Sequence, residues 1–216
     1  GVKVTQFYRG EQILRGFDGE ARGHIAEHMR EAGIDLHVGC DVMELERVAG
    51  GTRVTATNGH ETVHEAVIYA TGAQHRHLGV PGEEEYNGKG VSYCGTCDGP
   101  FFRGKRILVV GGGDTALTDA LFLSKLTDQV TIIHRKDRFR AQDNLVKQTE
   151  RNKHIERVMM HTVAAIKGDG DKVTSVVLND LEKGVQYERE FDAVFVFVGM
   201  IPQTDILDAT ILTADK

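Results

Sequence analysis

The chain has 216 residues, 40% of them apolar, with a formal net charge of -6. That is enough apolar material for one large domain or two small ones, and the acidic balance excludes broad electrostatic attraction to nucleic acid or an anionic membrane. No apolar run approaches a membrane span, no apolar N-terminal signal is visible, and three cysteines make no secreted disulfide framework, so a cytoplasmic protein is expected.

Residues 2–8, VKVTQFY, alternate loosely and predict a strand. GEARGHIAEHMREAG follows as a helix, with Ala21, Ile25, Met29 and Ala32 on one face and Gly33 at its end. IDLHV at 34–38 predicts a strand. TRVTATN and ETVHEAVIYATG predict a hairpin about Asn58-Gly59. The later part, AVIYATG, is more uniformly apolar and predicts a buried strand entering a glycine turn. The stretch 73–92 lacks periodicity, and the turn-rich GVPGEEEYNGKG marks a domain crossing. KRILVV (105–110) predicts a buried strand, GGGDTALTDALFLSKL a turn and helix, and QVTIIH the next strand. NLVKQTERNKH predicts a helix, RVMMHTVAAIKGDGDKVTSVVLND with VQYERE an antiparallel ribbon, and FDAVFVFVG a further buried strand. The order strand, glycine turn, helix, strand from 105 to 134 predicts an α/β fold with a parallel sheet.

The glycine turn reads G-x-G-x-x-A at Gly111, Gly113 and Ala116. Gly111 permits the tight turn, Gly113 lets backbone approach a pyrophosphate, and Ala116 lets helix and strand pack closely. Gly112 adds room. The helix that starts at Asp114-Thr115 offers free amides and the positive end of its dipole to a phosphate. About 20 residues on, an NAD site commonly carries an acidic residue. This chain has His134, Arg135 and Lys136 instead, with Arg140 following. A carboxylate would repel a 2'-phosphate and a guanidinium can hold it, so the location favours NADPH. A solvated basic loop is the alternative.

Upstream stands YCGTCDGP. Cys94 and Cys97 can close a small disulfide ring, which is a redox centre in thioredoxin-like proteins. Zinc binding and inert burial are the rival readings. Half a zinc site is present, but Cys40, His75 and His77 fit no common zinc spacing, and no metal ligands are assigned. Asp98 can protonate a departing thiolate and take the proton back, or simply open a turn. Cys40 reads as a small buried hydrophobe.

These stretches, with ATGAQHRHLGVPGEEEYNGKGVSYCGTCDGPFF, VTIIHRKDRFRA and VFVFVGMIPQT, resemble the low-molecular-weight thioredoxin reductases, flavoproteins of the pyridine nucleotide–disulfide oxidoreductase class. The likeness runs from roughly residue 70 to residue 204. It implies a Rossmann-like NADPH-binding domain at 76–200 carrying the C-x-x-C. A partial FAD-domain-like region at 1–75 precedes it, and the return to that domain begins at 201–216. NADPH would bind at Gly111, Gly112, Gly113, Asp114, Thr115, Ala116, His134, Arg135, Lys136, Arg140 and Gly199. Thr71 and Gly72 would lie on the FAD side. Hydride would pass to FAD and electrons onward to the Cys94–Cys97 disulfide. Cys97 would face the flavin, Cys94 would attack the partner's disulfide, and Asp98 would serve as acid and base. The partner would be thioredoxin or a similar small dithiol protein, and the enzyme a homodimer.

Two departures stand out. The family's first G-x-G-x-x-G, which holds the FAD pyrophosphate, is not found, and neither is its late Gly-Asp segment. VTQFYRGEQILRGFD is closer to the nicotinamide domain of glutathione-reductase-like enzymes. A divergent relative, a mosaic of homologues and a piece of a longer chain are all open. The 216 residues alone are therefore expected to bind NADPH, to retain little FAD and to turn over near background. A reductase serving a peroxiredoxin or another carrier is the nearest alternative function, and a non-catalytic nucleotide-binding domain the next.

Overall fold

The structure is a computed structural model and describes residues 1–70 and 72–204. It divides into two units. One takes Gly1–Gly72 with the chain from Gln203 onward, the other Ala73–Pro202.

In the first unit, β1 (Val4–Tyr8) and β2 (Ile34–Val38) pair in parallel through α1 (Gly19–Glu31). Asp18 caps α1, accepting from the amides of Glu20 at 3.0 Å and Ala21 at 3.2 Å. Gly33 follows the helix at φ 87°, where a side chain would be strained. The apolar face expected on α1 is not buried, because among the described residues the helix has only a two-stranded ribbon to cover; Ile25 stays 42% exposed. Strands β3 (Val42–Val48), β4 (Gly51–Ala56) and β5 (Glu61–His64) form an antiparallel sheet, with the β4–β5 hairpin turning at Asn58-Gly59.

The buried strand expected at AVIYATG is not there. Its described residues, 66–70 and 72, are not in a strand, and Ile68 is 92% exposed. An extended apolar run becomes a strand only where a neighbour completes its hydrogen bonds, and among the described residues none pairs with it.

The second unit opens with β6 (Ala73–His75) and β7 (Val91–Ser92). A short helix α2 (Gly95–Asp98) and a 3-10 turn at Gly99–Phe102 come next. The Rossmann-like run is β8 (Ile107–Gly111), α3 (Asp114–Leu123), β9 (Val130–His134), α4 (Asp143–Arg151) and β10 (Ile155–Met159). An antiparallel sheet of β11 (His161–Gly168), β12 (Val173–Asp180) and β13 (Val185–Glu190) is inserted before β14 (Ala193–Phe197). The last strand, β15 (Met200–Pro202), pairs with β6.

The central sheet runs β10-β9-β8-β14-β7, all parallel. Arg157, Val158 and Met159 therefore belong to this parallel sheet through β10 rather than to the antiparallel ribbon expected for them, and Met160 turns away at φ 56°. Alternation along β8 explains both layers of core. Ile107 and Val109 face α3, meeting Ala116, Leu117, Ala120 and Leu123. Leu108 and Val110 face the inserted sheet, meeting Val176 and Leu178. A strand buried on both faces must read as an unbroken apolar run, and ILVV does.

From β8 the chain proceeds to β9 and β10 on one side, while β14 lies on the other. The strand order reverses between β8 and β14. In an open parallel sheet that crevice, outside the carboxyl ends of the strands, is where ligands bind.

Candidate functional site

The glycine turn sits at that crevice. Gly111 has φ 151°, and a Cβ there would lie 2.4 Å from the carbonyl oxygen of Phe197 and 2.9 Å from Cβ of Ala116. A Cβ on Gly112 would lie 2.4 Å from Nδ1 of His134. Gly113, by contrast, faces open space: nothing stands within 4 Å of a Cβ built there. Two glycines are thus required by the protein itself, and the third leaves the N-terminus of α3 clear. Ala116 is fully buried under the turn, and Thr115 is exposed.

The basic loop is tied to this turn. Arg140 donates its amide to the carbonyl of Gly112 at 2.7 Å. Asp114, the first residue of α3, accepts from the amide of Gln142 at 2.8 Å and from its Nε2 at 3.2 Å. Arg135, Lys136 and Arg140 are exposed along the same loop. His134 ends β9, is buried, and its Nε2 has no hydrogen-bond partner. Burial first, then the charges of Arg140, Arg135 and Lys136, hold its pKa below the usual imidazole range. Gly199, at φ 114°, follows β14 at the same edge, and its carbonyl accepts from the amide of Arg76 at 2.9 Å. Open amides at a helix N-terminus, three exposed cations and an unpartnered buried imidazole nitrogen fit a dinucleotide carrying an extra phosphate.

The cysteines leave the same edge of the sheet. β7 runs parallel to β14 and leads directly into Tyr93 and Cys94. Cys94 and Cys97 are joined as a disulfide, with Cα atoms 5.3 Å apart. Cys94 caps α2: its Sγ accepts from the amide of Cys97 at 3.2 Å. Cys97 is exposed and Cys94 half-buried. Asp98 is held in a chain of bonds, with the Cys94 amide donating to Ser92 Oγ at 3.1 Å and Ser92 Oγ donating to Asp98 Oδ2 at 2.6 Å. The carboxylate, one residue after Cys97, is thereby tied to the Ser92 hydroxyl that also takes the Cys94 amide.

Sequence reasoning did not single out the residues that hold this segment. Ser92 carries no motif. Asp119 does leave a signal, since it falls on the apolar stripe of α3 between Ala116 and Ala120. It accepts the amide hydrogen bond of Gly95, and burial raises its pKa. Tyr93 donates to Glu83 Oε1 at 2.9 Å and lies 2.8 Å from Nδ1 of His77. Glu83 is buried and also accepts from the amides of Leu78 and Gly79, at 2.9 and 2.8 Å. The phenol's pKa is raised by burial and by that carboxylate.

Among the described residues, the first unit does not offer a matching cradle for a flavin dinucleotide. Its strand–helix junction, between β1 and α1, turns the carbonyls of Gln12 and Ile13 towards the guanidinium of Arg22, at 2.6 and 2.7 Å. The amides at the start of α1 already face the Asp18 carboxylate. Carbonyl oxygens and a carboxylate repel a pyrophosphate, so the described residues do not fit that part of FAD. Gly72 has φ 81° and accepts from the amide of Gln203 at 3.1 Å; Thr71 lies outside the described residues.

Residues 48–216 match a family described as pyridine nucleotide-disulphide oxidoreductase, and residues 1–60 match a second profile of that description. The thioredoxin reductase of Treponema pallidum is 52% identical over 142 residues, 66% of this chain and 46% of its own. That of Bacillus subtilis is 37% identical over 185 residues, 85% of this chain and 57% of its own. The crystal structure of Lactococcus lactis thioredoxin reductase superposes with a TM-score of 0.73 at 33% identity, over 94% of this chain and 72% of that one. The chain spans about half the length of the curated relatives it matches. No helix of the described residues is long and apolar enough to cross a membrane.

Proposed function

The chain belongs to the pyridine nucleotide-disulphide oxidoreductase family, and from that premise we propose that it is the nucleotide-binding and dithiol-bearing part of an NADPH-dependent disulfide reductase. The whole protein's acceptor is thioredoxin or a similar small dithiol protein, and its working form is a homodimer. The observation that carries this reading is the joint emergence of the Cys94–Cys97 disulfide and the glycine turn from the carboxyl edge of one parallel sheet.

Bound NADPH supplies two electrons as hydride. The amides at Gly113 and the start of α3 hold the pyrophosphate, and Arg135, Lys136 and Arg140 hold the 2'-phosphate. Buried His134 stays neutral and fills the space behind Gly112. A two-electron relay between nucleotide and disulfide belongs to the whole protein, and no step here runs through it.

Once reduced, Cys94 attacks the partner's disulfide as a thiolate and forms a mixed disulfide, releasing one partner thiolate. Cys97 then attacks the Cys94 sulfur, the Cys94–Cys97 bond re-forms, and the second partner thiolate leaves. Asp98, positioned by Ser92, gives and takes the proton of the sulfur nearest it.

The test needs no flavin. The 216-residue chain is reduced with excess dithiothreitol, freed of it, and mixed with oxidised thioredoxin. Stoichiometric transfer, abolished in Cys94→Ser and trapped as a mixed disulfide on Cys94 in Cys97→Ser, supports the reading. Efficient trapping on Cys97 of Cys94→Ser reverses the two roles. Transfer to a peroxiredoxin but not to thioredoxin moves the assignment to a different acceptor.

A further inference from the structure

The first unit gathers a second group of side chains that plays no part in this chemistry. Asp35 and His37 lie two apart on β2 and so share a face of the ribbon. His60 follows the Asn58-Gly59 turn of the β4–β5 hairpin, its amide donating to Asn58 Oδ1 at 3.0 Å. The rings of His37 and His60 have centroids 4.5 Å apart, and Phe7 stacks on His37 at 5.0 Å. Nε2 of each imidazole is buried, and neither has a hydrogen-bond partner. Asp35 Oδ2 lies 3.1 Å from His37 Nε2 without hydrogen-bond alignment. One ligand atom from each residue lies within 4.8 Å of the others.

Buried polar atoms without partners are rare and ask for an explanation. Here two imidazole nitrogens and a carboxylate oxygen converge, and one shared cation satisfies all three. Two imidazoles with one carboxylate is a donor set of zinc-class divalent cations. We propose that Asp35, His37 and His60 bind such a cation, with the fourth position open to water. Ligand atoms around tetrahedral zinc are ~3.4 Å apart for ~2.1 Å bonds, so binding draws the three atoms inwards. His60 on its hairpin and Asp35, whose side chain is 62% exposed, accommodate the movement. The cation pins the hairpin to β2 and serves the fold of this unit.

His24 and His28 on α1 are the rival ligands, one turn apart with centroids at 4.9 Å. They lack the buried, unpartnered nitrogens, and His28 Nδ1 already meets Glu31 at 3.0 Å.

Zinc chloride is titrated calorimetrically into the 216-residue chain with Cys94–Cys97 oxidised, so that thiolates do not compete. One zinc per chain is expected. His60→Gln and His37→Gln should each weaken it at least ~tenfold, while the double variant His24→Gln/His28→Gln should not change it. Zinc-edge X-ray absorption on the unaltered chain and on that double variant should show two imidazole nitrogens in both, which decides the matter if His37→Gln fails to fold. Absence of binding at micromolar zinc overturns the proposal. So does binding unchanged in folded His60→Gln, binding lost in His24→Gln/His28→Gln, or a shell with fewer than two imidazoles.

Discussion

Gly111 and Gly113 open and close the same turn, yet alanine at the two positions should do opposite things. At Gly111 the backbone has φ 151°, and the new Cβ would lie 2.4 Å from a backbone carbonyl that belongs to β14. Left-handed strain costs about 1–3 kcal/mol, and forcing a methyl into a packed site adds about 1–3 kcal/mol. Gly111→Ala should therefore lose ~2–6 kcal/mol, a large share of a domain's stability. At Gly113 the backbone is extended, at φ -99°, and the Cβ meets nothing. Gly113→Ala should leave stability unchanged or raise it by up to ~1 kcal/mol, since alanine restricts the unfolded chain. That same Cβ would stand where the pyrophosphate approaches, so NADPH affinity should fall at least about tenfold, the equivalent of ~1.4 kcal/mol. Urea unfolding followed by far-ultraviolet circular dichroism gives the first quantity, and NADPH fluorescence titration the second. If Gly111→Ala unfolds within 0.5 kcal/mol of the parent (roughly the noise of a surface change), or Gly113→Ala binds NADPH unaltered, the division of labour drawn from the geometry is wrong.

Replacing Arg135 and Arg140 with Ala should each weaken NADPH by about 1.5–3 kcal/mol, roughly ten- to a hundredfold, with NADH little affected; equal losses for both nucleotides would detach the loop from the 2'-phosphate. Asp98→Asn should slow thiol transfer to thioredoxin without altering NADPH affinity, and an unchanged rate between pH 6 and 9 would remove Asp98 from the proton step. His134 has a folded pKa below its unfolded value of about 6.5. In that window the unfolded chain binds the extra proton, so stability should rise with pH up to about 6.5; a His134→Gln variant with the same slope in urea midpoints refutes this. Asp192 acts with the same sign at lower pH: Arg106 donates to it from Nε at 3.0 Å and from its amide at 2.9 Å, holding its pKa down. Its stabilising share is present above about pH 3.9 and lost as pH falls through the lower folded value. Asp192→Asn should flatten the acid limb of urea midpoints, and a limb as steep as the parent's would exclude this pair as a source of it.

What the sequence shows plainly is what short-range pattern controls. ILVV and AVFVF are apolar without interruption because each strand is buried on both faces, VTIIH departs from this only at Thr131 and His134, which are buried too, and the turn G-x-G-x-x-A is legible by its spacing although Phe197 and His134 enforce it from afar. AVIYATG has the same appearance and is not a strand in its described part, since strand formation depends on a pairing neighbour that no local pattern encodes. The helix α1 illustrates the same limit, with a correct period but, among the described residues, only a two-stranded ribbon to cover. In the site, Cys94, Cys97 and Asp98 announce themselves by spacing. Ser92 and Glu83 do not, because they belong to no motif: their partners, Cys94 and Asp98 for one and Leu78, Gly79 and Tyr93 for the other, lie close in sequence but are brought to them by irregular turns; His37 and His60 sit 23 positions apart and meet only through the hairpin.

The loop between β9 and α4 continues directly from the sheet at its β9 end and is fastened to the glycine turn near its α4 end, by Arg140 to Gly112 and by Gln142 to Asp114. A loop anchored in this way has little conformational freedom left to surrender when a ligand arrives, so more of each contact's energy appears as affinity. The fastenings use a backbone amide of Arg140 and the side chain of Asp114, not the cationic groups themselves. Rigidity and charge are therefore separable in this stretch. Cofactor preference is open to rewriting by exchanging Arg135, Lys136 and the Arg140 side chain as a cassette, with the two anchors kept as the frame that receives it.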